Sequence, residues 1–573
     1  MAVPCYIGHP ATRSIMRSSF CPCALLLLSC AVPANLLHAQ NTVGLLQYDQ
    51  AASFEGYTLI YPFQQGSAFL LNNCGQVVHD WPDTAFVPGV SIRLMNDGGI
   101  QRCAVGPNPV SSMFAGGAGQ FVQRKDWDNT VTWMFPYCNN AVRMHHDACV
   151  LPNGNTLIVA WENKTIAEAW QAGRDTVGFG ANALWPDHIV EVQPTGLNTG
   201  TIVWEWHAWD HLIQEFNPLA NNFGVVTDNA QLIDINYDEA QNPDWLHINY
   251  VEYNPVLDQI VLSVPHFNEL WVIDHSTTSA EAALHTGGNS GKGGDLLYRW
   301  GNPQAYRQGL PNDQKLTFNH GTSWVDKEAL PGTPDFGRII VFNNRQGNFN
   351  SSVDIIDPPV DVNGNYAYTQ GTAYAPTSHS WRYTAPIPGD FFSSGLSNGQ
   401  KLPNGNVLIC SGRQGWIFEV DSVGTMVWEY ENPIFNGTPV AQGFVPLPLG
   451  NQLFHAARFA ADHPGLLGHN LNPIGYIELN PDTTFCNLPL AVEAPPMPSG
   501  STLQCTLSGE QLLVTGMATG TAYSVFDTHG RLMLAERTRS INCAIDLRSF
   551  ASGIYVLKVQ APIPQALKFM LQR

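Results

Sequence analysis

The chain has 573 residues, more than one ordinary core holds, so two or more domains are expected. Charged residues make up only 13%, while 51 Gly, 40 Pro, 16 Trp, 18 Tyr and 27 Phe give the profile of a turn-rich, aromatic-rich β protein. A formal net charge of −20 argues against nucleic acid as a partner, because phosphate backbones need basic patches, but it permits a small anionic ligand held by local positive charge.

Residues 1–40 read as an export signal. Arg13 and Arg17 precede the apolar run 24–28, and Leu37-His38-Ala39 offers a small-residue cleavage site. The run is too short to span a bilayer, and no later stretch approaches that length. The expected location is secreted or at the cell surface. Outside this leader stand eight cysteines, Cys74, Cys103, Cys138, Cys149, Cys410, Cys486, Cys505 and Cys543. None forms a CxxC pair, so zinc and redox readings are weak; in an exported protein some can pair, and spacing does not say which.

From residue 41 to 480 one pattern recurs: a small or polar residue, two apolar residues, then an aromatic end. It appears at 75–81 (Gly-Gln-Val-Val-His-Asp-Trp), 129–135, 200–206, 294–300 and 424–430, and in its last part at 377–383. Residues 151–158 (Leu-Pro-Asn-Gly-Asn-Thr-Leu-Ile) recur as 402–409, each a turn delivering the chain into an apolar strand. Turn, strand, strand, strand, six times over, is the plan of a six-bladed β-propeller, with the repeated aromatics filling the gaps between sheets. A large β-sandwich or another β-repeat is the competing architecture.

Pro481, Pro489, Pro495, Pro496 and Pro498 mark a linker at 481–498. Beyond it, residues 499–573 change character. Within 501–573 seven Lys/Arg against four Asp/Glu give a net +3, and short alternating strands predict a small C-terminal β-sandwich with no catalytic constellation.

Chemistry-bearing residues cluster beside the predicted strands. His145-His146-Asp147 precedes a Leu-Pro-Asn-Gly-Asn turn, Asp244-Trp-Leu-His247-Ile-Asn249 precedes a strand pair, and Asn319-His320 stands before the strand that ends at Asn343-Asn344-Arg345. Equivalent strand edges of a propeller face one central channel. His146, His247 and His320 are therefore expected to converge from three blades, with Arg345 and Arg413 following strands in the fifth and sixth. Such a group suits an anionic ester: guanidinium and imidazolium neutralise growing oxygen charge, and a neutral imidazole serves as base or nucleophile. A metal site is the rival use of three histidines, but no HxH or HxxxH spacing joins them, and few acids accompany them. His207 and His211, beside Trp206 and Trp209, read as aromatic packing; His188 after Asp187 reads as a strand-start hydrogen-bonding pair.

Residues 144–163 (Met-His-His-Asp-Ala-Cys-Val-Leu-Pro-Asn-Gly-Asn-Thr-Leu-Ile-Val-Ala-Trp-Glu-Asn), 184–192, 244–249, 300–303, 319–324 and 402–406 together resemble the arylsulfotransferase family. The resemblance implies a six-bladed propeller enzyme, an aryl-sulfate sulfotransferase. It would move a sulfuryl group from a phenolic sulfate ester to a phenol through a sulfated histidine, without phosphoadenosine phosphosulfate and without cofactor or metal. It assigns active-site roles to His247 and His320 and, approximately, to Arg345; His146, Asn249, Arg413 and Gln414 are candidate substrate contacts beside them. It also places the nucleophilic histidine after the strand 406–410, where this chain reads Ser-Gly-Arg-Gln-Gly-Trp. Gln414, or Arg413, then occupies that position, and glutamine cannot form a sulfo-intermediate. Another histidine would have to substitute, or the protein would bind sulfated or phenolic ligands without turning them over. Residues 525–530, 545–547 and 553–556 resemble the C-terminal sorting domain of the type IX secretion system, which implies that machinery as a partner. A quinone- or metal-dependent oxidoreductase is a further alternative, lacking its expected acidic ligands.

Overall fold

The structure, a computed structural model, describes residues 41–484 apart from 178, 238–241 and 348, then 486, and 504–571 with gaps at 509–510, 516–520, 528–531, 539–541 and 561–564. The leader at 1–40, most of the linker at 481–498 and the sorting-domain turn at 528–530 lie outside these residues.

The molecule is all-β, and its described sheets are antiparallel apart from the short parallel pair Leu212–Ile213 and Ile233–Asp234. Up to residue 459, six of them have four or five strands. The second is Val87–Leu94, Ile100–Val105, Phe121–Lys125 and Val131–Pro136. The third is Val142–Val150, Thr156–Glu162, Asp187–Gly196 and Thr199–His207. The fourth is Tyr250–Asn254, Gln259–Val264, Glu269–Asp274 and Tyr298–Trp300. The fifth is His320–Trp324, Ile339–Gly347, Asn350–Ile356 and Trp381–Tyr383. The sixth is Asn398–Lys401, Val407–Ser411, Trp416–Val420 and Met426–Glu431, with Gly44–Tyr48 added at its outer edge. The first joins Tyr57–Pro62, Ala68–Asn72 and Val77–Trp81 to Leu453–Phe459, from the far end of this region.

Contacts between leading strands run in a circle: Val87–Leu94 touches Val142–Val150, which touches Tyr250–Asn254, then His320–Trp324, Asn398–Lys401, Leu453–Phe459 and back to Val87–Leu94. Side chains complete the pairing that the diverging backbones cannot. Asn398 donates to Ala456 O (3.0 Å) and accepts from its N–H (3.1 Å), and Gln400 does the same with Arg458. At the outside, indole N–H groups repeat the circle. Trp81 donates to Asp126 O, Trp133 to Thr199 O, Trp206 to Gly294 O, Trp300 to Pro376 O, Trp381 to Ser422 O and Trp428 to Asn73 O, all at 2.7–3.2 Å. Each bond ties one sheet's outer strand to the next sheet, so the repeated aromatics fill the inter-sheet gaps and satisfy their only polar atom there.

In the tail, Gln504–Ser508, Gln511–Thr515 and Asn542–Asp546 form one sheet, and Ala522–Asp527, Leu532–Arg537, Gly553–Gln560 and Gln565–Leu571 another. Leu512, Val514 and Ile545 of the first share a core with Tyr523, Val525 and Leu557 of the second, a two-layer packing. A disulfide joins Cys74 to Cys486. No helix among the described residues is long and apolar enough to cross a membrane.

Candidate active site

The leading strands of the third, fourth and fifth sheets deliver the site. In the third sheet Ala148 and Met144 face Ile158 and Ala160, so residues 145–147 stand opposite one partner residue. This bulge re-aims the His-His-Asp run. His146 and His247 both take left-handed backbone, with φ of 54° and 59°. That conformation is uncommon for residues with a Cβ and recurs at functional positions. Gly117 (φ +76°) carries a loop over His146; a Cβ there would lie 2.2 Å from the imidazole ring.

The structure brings His146, His247, His320, Arg345 and Arg413 to one place. The His146 and His247 rings meet edge to face at 4.5 Å between centroids. Phe318 stands between the remaining groups, 6.3 Å from His247 and 5.7 Å from His320, with the Arg345 guanidinium 3.9 Å over its ring. Arg413 comes in from the sixth sheet and bonds Gln452 Oε1 through Nη1 at 2.7 Å. Its buried Nε has no hydrogen-bond partner among the described residues. A buried guanidinium with an unused N–H is a ready anion contact.

The two central histidines are tuned in opposite directions. His247 Nδ1 lies 2.5 Å from Asp244 Oδ2. Burial pulls this imidazole down, but the charge and hydrogen bond of Asp244 outweigh it, so its pKa is raised. Pairing with Asp244 therefore favours the protonated ring of His247. His320 is pushed down to about 3 by burial, and then by the charge of His247. Its Nδ1 bonds Asn344 Oδ1 at 2.7 Å, which fixes the proton there and leaves Nε2 a lone pair. Burial also drives His146 well below the usual histidine range. Behind it, His145 Nδ1 is 2.8 Å from His146 Nδ1 and His145 Nε2 is 2.6 Å from Asp187 Oδ1. Burial presses both His145 and Asp187 towards their neutral forms. Asp244 holds Trp161 Nε1 with its other oxygen, at 2.9 Å.

Asn249 and Gln414 adjoin this centre. Asn249 is fully buried and donates to Asn319 O at 2.9 Å, tying the His247 strand to the residue before His320. Gln414 accepts from Ser411 Oγ and lines a cavity of about 360 Å³ with Arg413, Phe392, Ser394, Pro448 and Leu449. Arg345 donates to Ser394 O at its rim. Arg345 lies within its strand, not after it. Sequence reasoning missed His266, which stacks on His247 at 4.8 Å and bonds Asp244 O. The signal was available: like Arg413, His266 sits just beyond the second strand of its sheet, and Arg345 sits near the end of that strand in the fifth.

No curated protein matches the chain. Solved structures similar to it include a protein of unknown function from Bacteroides caccae (11% identity, 71% of this chain and 99% of that one, TM-score 0.38). A functionally unknown protein from Desulfotomaculum acetoxidans matches at 8% identity, 71% and 99% coverage and TM-score 0.34. Virginiamycin B lyase from Staphylococcus aureus matches at 10% identity, 61% and 71% coverage and TM-score 0.28. The model of the arylsulfotransferase (ASST) family matches residues 119–432, more than half of the chain and all of the strands that supply the histidines. The chain belongs to the arylsulfotransferase family.

Proposed function

We propose that the protein transfers a sulfuryl group from a phenolic sulfate ester to a phenol, independently of phosphoadenosine phosphosulfate, at the centre of a six-bladed propeller whose blades are the six sheets. One observation carries this reading: a histidine whose protonated form Asp244 favours, a histidine held neutral by burial and two arginines gather around Phe318.

His320 Nε2 attacks sulfur, the bond from sulfur to the aryl oxygen breaks, and its electron pair leaves on the phenoxide. His247 Nε2–H supplies the proton, so phenol departs and sulfur is held on His320 as an imidazolium stabilised by Asn344. The acceptor phenol then gives its proton to the now neutral His247 and attacks sulfur, returning the pair to His320. Arg413 and Arg345 hold the sulfuryl oxygens through both steps. His320 thus takes the role that Gln414 cannot perform. The circular contacts of the leading strands support the propeller reading. The leader and the sorting-domain resemblance support export to the cell surface through the type IX machinery.

The test is release of nitrophenol from 4-nitrophenyl sulfate by the purified, folded chain, with and without added phenol. The reading expects phenol to accelerate release and to appear as phenyl sulfate. Saturable binding of the ester with no release rejects it in favour of a binding protein.

A further inference from the structure

Where the third and fourth sheets meet, a second histidine cluster lies outside the sulfuryl-transfer centre. His211 ends the single helical turn Ala208–His211 after the third sheet's outer strand, and His285 and Asp295 lie in the stretch leading to Tyr298–Trp300. Asp295 Oδ1 is 2.9 Å from His211 Nδ1 and 2.7 Å from His285 Nδ1. His211 and Asp295 are buried, whereas the His285 side chain is 59% exposed.

Hydrogen-bond accounting makes this arrangement unusual. His211 Nε2 is 2.8 Å from Ala282 O, an acceptor only, so Nε2 bears the hydrogen. In a neutral ring that leaves the Nδ1 lone pair facing a carboxylate oxygen, which a positive species must bridge, either a second proton or a metal ion. An outer N–H fixed on a backbone carbonyl, with the inner lone pair beside a carboxylate, is how metal-ligating histidines are held. The ring has little freedom. Trp206 stacks on it at 5.8 Å and donates to Gly294 O, and a Cβ at Gly294 would lie 2.4 Å from His211 Nε2. The three candidate ligand atoms lie within 4.8 Å of one another.

We infer that His211, His285 and Asp295 bind a divalent ion of the zinc class, with water in the fourth position on the exposed side. Two imidazoles and one carboxylate suit zinc and its transition-metal neighbours, not calcium or magnesium, which favour all-oxygen shells. Ligation spreads the donor atoms to roughly 3.3 Å apart, given bonds of about 2.0–2.2 Å, and exposed His285 has the freedom to move. The ion clamps a turn of the third sheet to a loop of the fourth.

The test uses the untagged full-length chain, stripped with a chelator and titrated with Zn²⁺ by calorimetry, with bound metal counted by mass spectrometry. His285→Ala, at an exposed position, leaves the buried pair intact, and Asp295→Asn is the second variant. Wild type is expected to take up one equivalent and to melt at a higher temperature with it, and each variant to bind at least about tenfold more weakly. No uptake by folded wild type overturns the inference. Equal affinity in wild type and both variants also overturns it, by placing the zinc elsewhere.

Discussion

Replacing Asp244 by Asn isolates the proton that the proposed mechanism assigns to His247. The carboxylate oxygen 2.5 Å from Nδ1 is what raises this buried imidazole, since burial alone lowers it. Asparagine keeps an oxygen for Trp161 Nε1 but removes the charge, so the pKa of His247 should fall under burial alone. General acid catalysis contributes about 10²–10⁴ in rate, or about 2.7–5.4 kcal/mol of barrier. That whole effect should fall on phenyl sulfate, whose phenoxide leaves poorly. 4-Nitrophenyl sulfate, whose nitro group already stabilises the phenoxide, should lose less than about tenfold. The assay is kcat/KM for both esters as a function of pH, with thermal unfolding as a check on folding. Wild-type activity should hold below the usual histidine pKa, because His320 stays neutral down to about 3, and should fall only as pH rises through the raised pKa of His247. The same ion pair stabilises the fold in one window. The His247 share is full below about 6.5 and fades as pH rises through its folded pKa; the Asp244 share, whose pKa is lowered, is full above about 3.9 and fades as pH falls. Equal losses for the two esters, with the alkaline limb of the profile unmoved, would refute the assignment.

Gly117→Ala should cost most of the activity, because its Cβ would occupy the His146 ring and its φ of +76° disfavours any side chain; kcat measured on folded protein checks this. Arg413→Met keeps the length of the side chain and removes the unused buried donor. A loss of roughly 10–150-fold in kcat/KM is expected, from about 1.5–3 kcal/mol for a charge-assisted bond. Cys74→Ser opens a disulfide spanning 412 residues and should lower the thermal midpoint by the equivalent of about 2–4 kcal/mol, leaving kcat unchanged.

Much of the fold was legible because aromatic residues recur at the same place in every repeat. The aromatic ends at 81, 135, 206, 300, 383 and 430 all fall on the outer strand of a four-strand set, outermost in five of the sheets and covered only by Gly44–Tyr48 in the sixth. The closing strand Leu453–Phe459 was not legible: it carries no copy of the repeat, and its partner Tyr57–Pro62 lies almost 400 residues away in sequence. In the site, the histidines announced themselves by standing before strands, but their roles did not. Nothing in the sequence distinguishes His247 from His320. The difference is a carboxylate on one Nδ1 and a carboxamide on the other, from Asp244 and Asn344. Asn249, a candidate substrate contact from the sequence, ties two strands through Asn319 O, a bond that no spacing in the sequence announces.

The most direct test of the account is chemical trapping of the first half-reaction. The full chain is mixed with 4-nitrophenyl sulfate without acceptor, quenched rapidly under alkaline conditions, digested and sequenced by mass spectrometry. The account predicts a burst of nitrophenol matched by a sulfuryl group on His320, lost in His320→Asn and cleared when phenol is added before quenching. A burst with the label on another residue, or full turnover by His320→Asn, would contradict it.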